Sequence, residues 1–95
     1  MEKITMIFRK EYNPDTKIYD PIAFMPEEPA SYGRISYYSR MGQHSEADLE
    51  YYKQTKKATF DEYKELLKEL ECVYSDMKIV IRQRLNYDTL RKSWQ

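Results

Sequence analysis

Residues 59–85 constrain this chain more than any other stretch, because a helix signal and a strand signal are separated there by only Ser75 and Asp76. Thr59 followed by Glu62 is a capping box, in which the hydroxyl satisfies an orphan amide and the carboxylate reaches back to the threonine N–H. Phe60, Tyr63, Leu67, Leu70 and Tyr74 then recur at steps of three and four. Leu66 and Val73 widen that apolar stripe, and Asp61, Glu65, Lys68 and Cys72 fall opposite it. After the tight turn the period drops to two: Met77, Ile79, Ile81 and Leu85 point one way, Lys78, Val80, Arg82 and Arg84 the other. So short a connection folds a strand over 77–85 back against its own helix.

The first half of the chain reads as strands. Residues 3–9 alternate Ile4, Met6 and Phe8 with Thr5, Ile7 and Arg9. Asn13, Pro14, Asp15 and Thr16 make a turn, where proline pre-sets one dihedral and the Asn and Asp side chains bond their own backbone. A second strand over 21–25 must end at Pro26 and Pro29, since proline offers no ladder donor. A third, over 33–40, sets Ile35 and Tyr37 on one face and Arg34, Ser36, Tyr38 and Arg40 on the other. Ser45 with Asp48 caps a short helix through Gln54. Leu90 and Trp94 lie four apart in the tail, residues 86–95, spaced to dock a last helical turn. The expected architecture is one α+β domain spanning 1–95: a small antiparallel sheet of about four strands, in β-β-β-α-α-β order, with its helices packed on one face.

Composition narrows the function classes. Ten tyrosines stand beside two glycines, one histidine and one cysteine, which leaves little material for a phosphate cradle, a ligand cluster or an acid/base constellation. A lone cysteine builds no intramolecular disulfide, and no stretch approaches the roughly 20 apolar residues of a membrane span. A cytoplasmic protein without cofactor or metal is the expectation, and no membrane partner is expected. Net charge is zero, yet residues 60–76 hold six acids and two lysines while residues 77–95 hold five bases and one acid. Pairing within the chain or a complementary partner surface would each use that polarity.

Gly42, Gln43, His44 and Ser45 form the nearest thing to a ligand site, placed where a helix N-terminus would present unpaired amides to an anion. An ordinary turn with a capping serine is the plainer reading. Arg34, Tyr38, Arg40, Arg82 and Arg84 fall on the non-core side of strands, the composition of a surface that stacks bases and neutralises phosphates, or of one that a protein partner covers. Tyr37 with Tyr38, and Tyr51 with Tyr52, put adjacent rings on different faces, so one of each pair is expected at the surface. No catalytic residues are assigned.

Several of these residues also carry a resemblance. Ile7, Phe8 and Arg9, Ala23 and Phe24, Pro26, Pro29 and Ala30, then Gly42, Gln43 and His44 resemble a group of small uncharacterised proteins encoded by bacterial phages, plasmids and other mobile elements. Thr55, Ala58, Glu62, Tyr63, Leu67, Glu69, Leu70, Tyr74 and the strand 79–84 extend the similarity over most of the chain. Those proteins tend to have a glycine before the tyrosine that closes the long helix, where this chain has Cys72, Val73 and Tyr74. The resemblance implies a bacterial cytoplasmic accessory protein and no particular chemistry. A non-enzymatic module that binds a protein, with a homodimer contact supplementing a modest core, is the leading expectation. Nucleic-acid binding by the arginine face and a small-ligand or phosphate site at 42–45 are the alternatives.

Overall fold

Asn13 begins the first turn by accepting, on Oδ1, the Asp15 amide at 2.9 Å, and the Lys17 N–H closes it onto the Asn13 carbonyl at 2.7 Å. Lys17 takes a left-handed φ of 60° to do so. The computed structural model describes residues 2–39 and 44–94. This turn joins β1 (Glu2–Asn13) to β2 (Ile18–Met25) in an antiparallel hairpin whose register runs from Asn13 opposite Ile18 to Ile7 opposite Phe24. β3 (Arg34–Ser39) and β4 (His44–Asp48) continue the sheet outward from β2, each antiparallel to its neighbour.

The chain then crosses the sheet. Asp48 caps α1 (Leu49–Gln54) by accepting the Tyr51 amide at 2.8 Å, and β5 (Lys56–Lys57) pairs with Arg9 and Lys10 on the far side of β1. α2 (Phe60–Val73) opens with the expected capping box, the Glu62 carboxylate meeting the Thr59 amide at 2.8 Å. Glu62 also meets Lys10 at 2.7 Å, which ties the helix start to β1. The helix closes at Tyr74 with φ −112°, outside the left-handed region, so this C-cap does not require glycine. β6 (Met77–Arg82) lies parallel to β1, from Met77 beside Glu2 to Arg82 beside Ile7. α3 (Tyr87–Ser93) follows, capped by Asn86, whose Oδ1 accepts the amides of Asp88 and Thr89 at 3.0 and 3.2 Å.

The α+β class holds, with corrections, the first that the sheet is not wholly antiparallel, because β6 runs parallel to β1. Among the described residues six strands form instead of about four, in the order β4-β3-β2-β1-β5 with β6 also on β1, because β4 takes up residues expected in a turn and the start of a helix, and β5 a stretch to which no element was assigned. The residues just before α1 pair with β3, so Asp48 and not Ser45 caps the helix. Helices cover both faces instead of one. On one face α2 buries Tyr63, Leu66 and Leu70 against Ile4, Met6, Phe8, Ala23, Met25 and Tyr38. On the other, Ile7, Ile22, Phe24 and Ile35 meet Tyr52 of α1 and Leu90 of α3. The run Ile22, Ala23, Phe24 and Met25 is buried on both sides, and a strand apolar on both sides needs two covering layers. β6 ends at Arg82, three residues early, because Leu85 leaves the strand to pack into the second core. The tail is docked: Leu90 is fully buried, and the Trp94 indole N–H donates to the Arg34 carbonyl at 2.5 Å.

Candidate binding cleft

The hairpin register places two carboxylates against each other. Glu11 is the direct partner of Asp20, on the face of the sheet that α1 and α3 cover. Like charges directly opposite on neighbouring strands destabilise a sheet. Among the described residues neither carboxylate has a basic side chain within ion-pair distance. Arg9, next along the same face, is already occupied: its guanidinium donates to Thr55 Oγ1 at 3.0 Å and to the Thr55 carbonyl at 2.5 Å, and lies 4.9 Å from the centre of the Tyr52 ring.

Tyrosines wall the same place. Tyr51 of α1 donates its hydroxyl to Glu11, and its ring lies 6.0 Å from that of Tyr37 on β3. Burial, and then the bond to Glu11, push the Tyr51 phenol well above its ordinary range, so it stays a neutral donor. Asn13 reaches Asp20 from the turn at 3.5 Å. These groups line a cleft of about 700 Å³, open to solvent, with Ile22 and Pro21 in its wall. Carboxylates without a counter-ion beside the faces of half-buried tyrosines suit a cation: the charges attract it and the rings solvate it. Tyr37 and Tyr51 are half-buried in this cleft while Tyr38 and Tyr52 are buried, so one ring of each adjacent pair reaches the surface.

The residues singled out from sequence are dispersed. Gly42, Gln43 and Arg40 lie outside the described residues. His44 and Ser45 begin β4 instead of preceding a helix, with His44 opposite Tyr38. The His44 ring nitrogen meets the Tyr74 hydroxyl at 2.7 Å, and its ring stands edge-on to Tyr38 at 4.7 Å. These contacts pin the edge strand to the end of α2. Tyr38 is buried in the α2-side core, and hydrogen bonding to Glu69, then burial, raise its phenol pKa.

The arginine face divides in two. Arg34 shares the α2 side with Tyr38, whereas Arg82 pairs beside Ile7 and so projects on the α3 side. Arg82 and Arg84 do meet, in a cleft of about 340 Å³ with Thr5, Asn86 and Thr89, but Glu27 stands in it too. Cys72 is exposed on α2. No group of three or more His, Cys, Asp or Glu side chains among the described residues is arranged to hold a metal ion, and no helix there is long and apolar enough to cross a membrane. No protein-family model, curated protein or solved structure matches the chain at a significant level.

Glu11 and Asp20 were not among the residues that sequence reasoning selected, whereas Tyr37 and Tyr51 were, as members of adjacent pairs with one ring expected at the surface. The signal was present in the turn: a hairpin folding about 13–18 sets 11 against 20, once the first strand is carried past Arg9. Charged residues interrupt the alternation at Lys10 and Glu11, so an apolar-period reading stops too soon.

Proposed function

We propose that this chain is a non-enzymatic binding module that takes a cationic side chain of a protein partner, lysine or arginine, into the cleft between Glu11, Asp20, Tyr37 and Tyr51. The observation that supports this most is the directly opposed carboxylate pair, which has no basic partner among the described residues and is walled by tyrosine rings. A partner's cation would remove the mutual repulsion of the pair and gain the ring faces, and the flanking tyrosines supply contact area at low entropic cost. The resemblance to small proteins of bacterial mobile elements is in keeping with such a role: an accessory protein of that kind would act in the cytoplasm by occupying a basic patch on a host or element-encoded protein.

A short arginine-rich peptide is a suitable probe, titrated at moderate salt with amide NMR shifts as the readout. The shifts are expected to centre on Glu11, Asp20 and Tyr51, and the double substitution Glu11→Gln with Asp20→Asn to weaken binding by roughly tenfold or more. Binding that the double variant leaves unchanged would sink the reading. A mixed-sequence oligonucleotide provides the comparison: retention that salt abolishes, with shifts at Arg82 and Arg84, would transfer the function to the basic cleft and to nucleic acid.

A further inference from the structure

β6 offers a long unpaired backbone edge. Among the described residues all of its strand partners lie on β1, so along six residues the N–H and C=O groups of its other side face outward. Proteins usually blunt such an edge with proline, a bulge, a short strand or charged side chains, lysine above all. β6 reads Met-Lys-Ile-Val-Ile-Arg: it has no proline and an unbroken register with β1, and its two charges, Lys78 and Arg82, lie on the same side as Val80, leaving Met77, Ile79 and Ile81 as an uncharged row on the other. The edge at β4 is different, a five-residue strand that carries Glu46 and Asp48.

We propose that β6 pairs antiparallel with β6 of a second copy of this chain, about a two-fold axis through Ile79, so that two sheets join into one. The charge pattern selects both the occupant and the register. A two-fold axis perpendicular to the sheet must pass through a residue for opposed side chains to share a face. An axis through Lys78 opposes Lys78 to the partner's Lys78. An axis through Val80 opposes Lys78 to the partner's Arg82, at both ends. Through Ile79, Ile79 meets the partner's Ile79, Met77 meets the partner's Ile81, and Lys78 meets the partner's Val80. Arg82 then stands opposite the partner's Asp76, the turn residue just before β6, and symmetry repeats that pair. Of these three registers only this one opposes no like charges and places unlike charges at both ends of the junction; an axis through Met77 would oppose Asp76 to the partner's Lys78 but would overlap little of β6.

Within one chain the groups concerned are free for this use. Asp76 and Arg82 are exposed and, among the described residues, neither has an ion-pair partner. Met77, Ile79 and Ile81 are only half-buried, flooring a cleft of about 390 Å³ beside Leu67 of α2 and its C-cap Tyr74. A second β6 extends that apolar floor across the junction. The carboxylate cleft near Glu11 lies toward the other end of β1, so the dimer stands or falls separately from the function proposed above.

Light scattering on the reduced full-length chain tests this. The expected mass is twice the 11.6 kDa of one chain. Arg82→Glu puts like charges at both ends and should raise the dimer dissociation constant by roughly tenfold or more, while Asp76→Arg combined with Arg82→Glu should restore it. Ile79→Lys, which sets two charges on the axis, should give monomer with an unchanged far-UV circular dichroism spectrum. A monomeric wild type overturns the proposal. So does a dimer that Arg82→Glu leaves intact, or one that the double reversal fails to rescue.

Discussion

Leu90→Ala tests whether the second core is real, because Leu90 is the single fully buried contribution of α3 to it. The substitution removes three buried carbons, about 2.4 kcal/mol at roughly 0.8 kcal/mol per buried methylene. The cavity left behind adds to this, and Leu→Ala changes in cores span about 2–5 kcal/mol. α3 is anchored by this one fully buried side chain, so when the cavity becomes costly the helix can undock, and the loss is bounded by its docking free energy. About 2–3 kcal/mol is therefore expected, a fall in Tm of roughly 10–20 °C for a domain of this size. Leu70→Ala is the control, since Leu70 is equally buried but sits within α2 between flanking contacts, and about 3–5 kcal/mol is expected there. Urea denaturation followed by circular dichroism gives both values. A Leu90→Ala loss under about 0.5 kcal/mol, the range of surface substitutions, would refute the two-faced architecture.

Two further outcomes follow from the polar contacts. Lys10, first, and the Thr59 amide hold the Glu62 carboxyl at about 2, below its ordinary 4.5. A depressed folded value stabilises above the ordinary pKa and ceases to as pH falls through the folded one. Glu62→Gln should therefore flatten the pH dependence of stability between about 4.5 and about 2, and an unchanged acid limb in urea titrations would contradict this. Thr55 is the one buried polar side chain among the described residues, accepting from Arg9 at 3.0 Å and donating to the Tyr52 carbonyl at 2.6 Å. Thr55→Val keeps the shape but strands the Arg9 Nε donor, at a cost of about 1–2 kcal/mol by thermal or urea unfolding; a neutral result would show that water replaces the contact.

Periodicity made some elements legible and hid others. The Thr59–Glu62 box and the stripe through Leu70 gave α2 with its N-terminus in place, and Asn13 with Pro14 gave the first turn. Alternation also oriented β1 and β6 correctly, down to Met77, Ile79 and Ile81 facing α2, but on β3 it set Tyr38 outward, where the structure buries it in the α2-side core and Ile35 in the other. What it could not supply was the second layer. Alternation sets Ile7 on the outer side of a half-buried strand, and its burial, like that of Phe24, depends on where α1 and α3 come to rest. β4 was missed because His-Ser-Glu-Ala-Asp carries almost no apolar signal and gains its ladder only from β3. The arginine face failed for a related reason. Each strand's alternation assigned sides locally, but only the register with Ile7 shows that Arg82 and Arg34 project from opposite sides.

The uneven charge along the chain is explained less by pairing inside the molecule than its zero sum would suggest. Glu62 is matched by Lys10 and Asp61 by Lys64, while Arg91 turns to Asp88 in its own helix. Among the described residues no acid of α2 pairs with a base beyond Met77. The acidic block thus ends at Asp76 and the basic block runs on from Lys78, leaving β6 with a carboxylate at its head and a guanidinium at its foot. A parallel pairing of two such strands would set like ends together. An antiparallel one sets head against foot, and so turns the charge gradient along one edge strand into an attraction between two copies of it.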